Sequence, residues 1–189
     1  MKINGVAVSI SFFLFVPLFF AVATEAAEAA APKSLNESRE RARAGMERMR
    51  PYLGRWVGET HSELSGSKMS TMICTYDNDW MMDAVYLVAT VKCKSKSEAD
   101  SVESKWVYTF DAIKGCYRLW AYSSTGVVLE YEGKFAGEKF TWKMKKGQYL
   151  FGGEMLETVR GDSLMTSGIN YKPNGKVMEK SLGVFKKIR

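Results

Sequence analysis

The stretch Leu53-Gly54-Arg55-Trp56-Val57-Gly58-Glu59-Thr60 divides the chain. Upstream lie an apolar leader and one amphipathic segment; downstream, nearly everything follows a period of two. Gly54 lets the chain turn tightly, and an indole at Trp56 has the size to plug the floor of a small closed barrel. Alternation predicts strands over 55–63, 68–77, 84–93, 104–111, 116–123, 126–135, 138–145, 154–160, 163–171 and 176–187. Between them stand Ser65-Gly66, Asn78-Asp79, Lys114-Gly115, Thr125-Gly126, Ala136-Gly137, Lys146-Gly147, Gly161-Asp162 and Asn174-Gly175, each suited to a tight reversal. Gly152-Gly153 inside strand-like sequence predicts a bulge or barrel corner. About ten antiparallel strands with no long helical interruption predict a mainly β protein. The expected form is an up-and-down β-barrel over 51–189, preceded by one α-helix, with an open sandwich as the competing arrangement.

The same alternation sorts the side chains. Trp106, Tyr108 and Phe110 share one face against Lys105, Thr109 and Asp111. Val127, Leu129, Tyr131 and Phe135 oppose Glu130, Glu132 and Lys134, while Phe140, Trp142 and Met144 oppose Thr141, Lys143 and Lys145. With the apolar set inward, rings crowd the interior, either filling it or lining a small-molecule cavity. Nucleic-acid binding through these strands would need the rings outside, contrary to the pattern. The net charge of +6, from 27 Lys and Arg against 21 Asp and Glu, is dispersed along the strands as a solvated face would be.

Upstream, Lys2 and the apolar run Val6 to Phe20 precede Ala21-Val22-Ala23, the pattern of a cleaved secretory signal over 1–23. An uncleaved anchor is the competing reading, since Ile3 to Ala23 nearly spans about 30 Å of hydrocarbon. Pro17 and the small residues favour cleavage, which places the mature chain in a periplasm or beyond, without stable membrane insertion. A low-complexity spacer at 24–33 leads to Ser34, read as an N-cap with Glu37 three residues on. Leu35, Ala42, Met46, Met49 and Leu53 form one apolar stripe of a helix over 34–50 that Pro51 ends, a helix suited to lid or flank the barrel. The cysteines are Cys74, Cys93 and Cys116. Export permits a disulfide but leaves an odd thiol, and the spacing fits neither zinc nor C-x-x-C; small buried hydrophobes are the leading reading.

The opening Leu53 to Glu59, with Thr75-Tyr76-Asp77-Asn78-Asp79-Trp80-Met81-Met82, Tyr131-Glu132-Gly133-Lys134 and Met178 to Phe185, resembles the lipocalin-like, or calycin, barrels. It is most similar to an exported lipocalin-like family of unassigned activity, and more distantly to the nitrobindins. The resemblance covers about residues 45–188 and rests on short, mostly structural motifs. It implies binding of apolar or amphipathic small molecules, and a basic side chain from the last strand (Lys186, Lys187 or Arg189) packed on Trp56. The nitrobindin likeness would imply haem on a late His, but the single His, His61, stands on the first strand and on its outer face. No cofactor is therefore expected.

Arg118 shares a face with Trp120 and Tyr122. Turned inward, it would clamp a ligand carboxylate; if Tyr117, Leu119 and Ala121 are inward, it is a surface residue. Asp77, Asp79 and Asp83 lack the Gly and distal Glu of a calcium loop and read better as turn formers. Trp80-Met81-Met82 reads as a lip over the barrel mouth, a contact patch or a plug. No nucleophile elbow or phosphate-cradling loop occurs, and Glu130 and Glu132 face outward without a partner base. The expected function is an exported, non-enzymatic carrier whose ligand-binding residues are Trp56, Tyr86, Trp106, Tyr108, Trp120, Tyr131 and Trp142, with Arg118 as polar anchor. The alternative is an interaction module with a filled core.

Overall fold

The computed structural model describes residues 32–66, 69–97, 99–147 and 152–188. The expected signal at 1–23 and nearly all of the 24–33 spacer lie outside the described residues. One helix, α1 (Leu35–Met46), runs into a 3-10 helix (Glu47–Tyr52). Ten strands follow: β1 (Gly54–Leu64), β2 (Ser70–Met81), β3 (Tyr86–Ser95), β4 (Ser101–Asp111), β5 (Cys116–Ser123), β6 (Val128–Ala136), β7 (Lys139–Gly147), β8 (Gly153–Arg160), β9 (Ser163–Tyr171) and β10 (Val177–Ile188). Each pairs antiparallel with its neighbour in sequence, and β1 pairs with β10, so the sheet closes into a barrel and the sandwich is excluded. Closure leaves no unpaired edge.

Closure needs a strand that can approach its partner closely. Opposite β10, a Cβ on Gly58 would lie 2.0 Å from the Val184 carbonyl oxygen, so only glycine fits at this seam. Two residues before Trp56, Gly54 takes φ +95°, reversing the chain from the 3-10 helix into β1. Trp56 is fully buried, and its Nε1 donates to the Tyr52 carbonyl at 2.8 Å. The Asn78 amide donates to the same carbonyl at 2.7 Å. Lys187 is the basic residue over the indole, with Nζ 5.1 Å from the ring centroid.

The Ser34 hydroxyl caps α1, accepting from the Glu37 amide at 3.1 Å; Glu37 in turn accepts from the Lys33 amide rather than from Ser34. Pro51 sits inside the 3-10 helix, so the helical path continues to Tyr52 instead of stopping before the proline. Ala42, Met46, Met49 and Tyr52 are buried, whereas Leu35 is 90% exposed and leaves the expected stripe. The helix closes one end of the barrel as a lid.

Several turn assignments shift. Asn78 and Asp79 lie within β2, and the reversal falls at Met82, Asp83 and Ala84, all with positive φ. β7 continues through Gly147. Gly153 begins β8 rather than forming a bulge; the register shifts fall at Glu130/Tyr131 and Val177/Glu179. Cys74 and Cys93 oppose each other across β2 and β3 and are joined by a disulfide, so the free-hydrophobe reading holds for neither. Cys116 is a half-buried thiol.

The interior is layered. Against the helix, Tyr117, Phe135 and Phe140 pack edge-on or stacked at ring separations of 4.2–5.3 Å. Above them come Tyr76, Tyr108 and Trp142, and above those Trp106, Leu119 and Tyr131. These rings come from β2 to β7. The opposite wall, β8 to β10 and β1, contributes Trp56, Leu164 and Phe185 toward the sealed end and small residues on the rest of its inward face, among them Thr60, Thr166, Gly168, Ser181 and Gly183. Rings from one wall lean across the space that the other leaves.

Candidate functional site

The site follows from that asymmetry. At the end away from α1, a cleft of about 140 Å³ enters the barrel, lined by Ser104, Trp106, Leu119, Leu129, Tyr131 and Met155 among others. Ligand pockets for drug-sized molecules run to roughly 300–1,000 Å³, so this one admits a small ligand or the end of a longer one. The cleft walls come from the inward positions of β4, β5, β6 and β8, which alternation fixes.

The expected binding residues divide into three groups. Trp106 and Tyr131 line the cleft. Tyr108 and Trp142 lie buried beneath it, with Trp106 and Tyr108 centroids 6.4 Å apart and Tyr108 and Trp142 centroids 5.7 Å apart. Trp56 belongs to the floor at the sealed end. Tyr86, Arg118 and Trp120 are not in the barrel: Leu87, Ala89 and Val91 are the buried set of β3, and Tyr117, Leu119 and Ala121 that of β5. The three outer residues instead border a groove beside α1.

Arg118 is therefore no interior anchor. Its guanidinium pairs with Glu130 and lies 3.9 Å from Asp111 on the outer surface, with Trp120 stacked 5.6 Å away. The register of β5 decides this, since Leu119 lies between the inward Tyr108 and Tyr131, and an arginine facing the packed rings would need a buried counter-ion.

The interior holds an ionisable group of opposite sign. Glu157 on β8 is 3% exposed, and its Oε2 accepts from Trp142 Nε1 at 2.8 Å. Burial raises its carboxyl to about 7, partly offset by the indole bond. Burial also pushes up the phenols of Tyr52, Tyr76 and Tyr108, and the nearby Glu157 adds to the effect. The Tyr52 hydroxyl is buried without a hydrogen-bond partner. Nearer the mouth, Glu179 Oε2 accepts from the Asn170 amide at 2.9 Å. Tyr131 is pushed up to about 12, mainly by burial and further by Glu179. Glu157 was legible in principle: Met155 and Val159, two residues to either side, already place it on the apolar face of β8.

The remaining candidates are accounted for locally. Asp77 faces Arg55 at 3.6 Å, Asp83 pairs with Arg39, and Asp79 accepts from the Trp80 amide at 2.8 Å. Among the described residues, no group of three His, Cys, Asp or Glu side chains converges as a metal site. Trp80 turns inward against the core, with its indole N–H unpartnered, while Met81 and Met82 are exposed beside the helix end.

No protein-family model and no curated protein sequence matches the chain. Solved structures do match in fold. The crystal structure of Rv2717c from M. tuberculosis is similar with a TM-score of 0.61 at 11% identity, covering 77% of this chain and 98% of that one. The S-type phycobiliprotein lyase CPES from Guillardia theta is similar with a TM-score of 0.57 at 13% identity, covering 76% and 92%. At such identities the likeness concerns the backbone, and the ten-stranded closure agrees with it: the fold is a lipocalin-like barrel.

Proposed function

We propose that the protein is an exported, non-enzymatic binder of a small apolar or amphipathic molecule, received at the barrel end away from α1. The observation that carries this reading is the difference between the two ends. One is sealed by Met46, Met49, Tyr52 and Trp56, all buried; the other opens into the cleft between Trp106, Tyr131 and Met155. A blind barrel with one mouth is the form that holds a ligand by burial. One similar barrel is a phycobiliprotein lyase, which gives precedent for this fold acting on other molecules. Export is supported by the leader composition and by the Cys74–Cys93 bridge, which persists in oxidising compartments.

Native mass spectrometry of the protein purified from its own host tests the reading, together with titration of an apolar fluorescent probe. A co-purifying small molecule, or saturable probe binding, is expected. A clean apo mass with no probe response favours the second reading, an interaction module with a filled core. That reading draws on the small volume of the cleft and on the exposed Met81 and Met82 at the far end.

A further inference from the structure

We infer that the barrel selects an organic amine, its ammonium head taken by Glu157 beneath the cleft, and discriminates against carboxylate ligands. The inference rests on the binder reading above and names the ligand class for the same site.

Charge on the inward face has one sign. Between Trp56 and the mouth, the acidic or basic side chains at inward positions among the described residues are Glu157 and Glu179. Arg118, the one arginine that a carboxylate ligand would need, points outside and is committed to Glu130. Lys187 lies against Trp56 at the sealed end. A fatty-acid head entering the barrel would meet carboxylates and no cation.

The geometry around Glu157 suits a cation. Met155, which lines the cleft, stands two residues from Glu157 on the same face of β8, so the carboxyl lies one layer below the cleft. Trp142 supplies one hydrogen bond to it. The neighbouring rings continue from the cleft wall: Trp106 contacts Tyr76 at 5.8 Å and Tyr108 at 6.4 Å, and Tyr108 contacts Trp142. Aromatic faces attract an ammonium, and a buried carboxylate is costly until a cation joins it. Met155 is unbranched and adaptable, so a small head can pass it. At the mouth, Glu179 presents a second carboxylate beside Tyr131 and draws a cation inward. On the opposing wall, Gly168 and its partner Ser181 carry little bulk above the Phe185 ring, which packs over Gly183 and against Tyr76.

The test is isothermal titration of the full chain with octylamine, octanol and octanoate, three probes of equal length and different charge. Octylammonium is expected to bind roughly tenfold or more tighter than octanoate, with octanol between them. Glu157→Gln should abolish that preference, while Glu157→Asp, which keeps the charge, should retain part of it. If octanoate binds as well as octylamine, the amine inference falls and the binder reading stands. If the preference survives Glu157→Gln, the assignment to Glu157 falls. If none of the three binds, both the inference and the binder reading fall. The comparison on the unmodified protein decides the charge preference even if a variant does not fold.

Discussion

Trp142 donates its indole N–H to Glu157 inside the barrel, at 2.8 Å. The two residues sit on neighbouring strands, β7 and β8, and the bond is the polar centre of the interior. A carboxyl held there is a standing cost to the fold, because burial favours its neutral form. The groups facing it are Tyr52 from the 3-10 helix, Tyr76 from β2, Tyr108 from β4 and Trp142 from β7; none is a cation.

A pH dependence follows. Glu157 titrates near 7 in the fold, against 4.5 in the unfolded chain. Between those values the folded state holds a proton that the unfolded state has lost, so this group's contribution falls as pH rises from 4.5 through 7 and is level above. The loss amounts to about 3 kcal/mol. Glu157→Gln keeps an acceptor for Trp142 and cannot ionise. Urea denaturation at pH 5 and pH 8 should show the variant close to the parent at pH 5 and clearly more stable at pH 8. Equal differences at both pH values would mean that the carboxyl is not buried as described.

The floor makes a second prediction. Trp56 is fully buried, bonds the Tyr52 carbonyl and carries Lys187 over its face. Trp56→Ala should cost about 3–5 kcal/mol, and Lys187→Met about 0.5–1 kcal/mol, since the cation–π contact is near the surface. Chemical denaturation of both variants ranks them; a Trp56→Ala protein as stable as the parent would show that the indole is not the plug.

What was legible in the sequence follows from what period two encodes. Alternation placed Trp106, Tyr108, Tyr131 and Trp142 inside, because each lies in a run whose opposite face is charged. It left β5 open: Tyr117, Leu119 and Ala121 compete with Arg118, Trp120 and Tyr122, and both sets contain a ring. Register against Tyr108 and Tyr131 settles that strand, and register is a property of neighbours. Tyr86 was misplaced because both faces of β3 carry apolar residues, Tyr86 and Val88 on one and the buried Leu87, Ala89 and Val91 on the other. The disulfide also needed register, as only the pairing of β2 with β3 sets Cys74 opposite Cys93.

That bridge carries the third prediction. It joins residues 19 apart on adjacent strands. Closing a loop of this size stabilises by about 3 kcal/mol in the chain-entropy picture. Replacing both cysteines with Ala should lower stability by that order while the far-ultraviolet spectrum keeps its β character, because the rest of the sheet is held by its own ladder. A double variant of unchanged stability would show that the two thiols are unpaired in the native protein.

Arg118 tests the corrected placement. Its guanidinium lies outside the barrel with a side chain 18% exposed, paired to Glu130. Arg118→Ala should leave binding of an apolar probe unchanged, and should cost about 1 kcal/mol by stranding the partly buried Glu130. Loss of probe binding with an intact melting transition would put the arginine back inside.

The cleft itself is tested by filling it. Ala121 lines it on β5 and is 8% exposed, with Ala121 opposite Trp106 on one side and Leu129 on the other. A cavity of about 150 Å³ holds a benzene molecule, so the phenyl group of Ala121→Phe should occupy most of the 140 Å³ cleft. The added ring enters existing space, so overpacking should stay within about 1–3 kcal/mol. Probe affinity, by contrast, should fall by roughly tenfold or more, the cost of losing the only apolar surface the probe can bury there. Parallel melting and probe titration separate the two effects. An Ala121→Phe protein that binds the probe as the parent does would place the ligand elsewhere, with the outer groove beside α1 the next surface to examine.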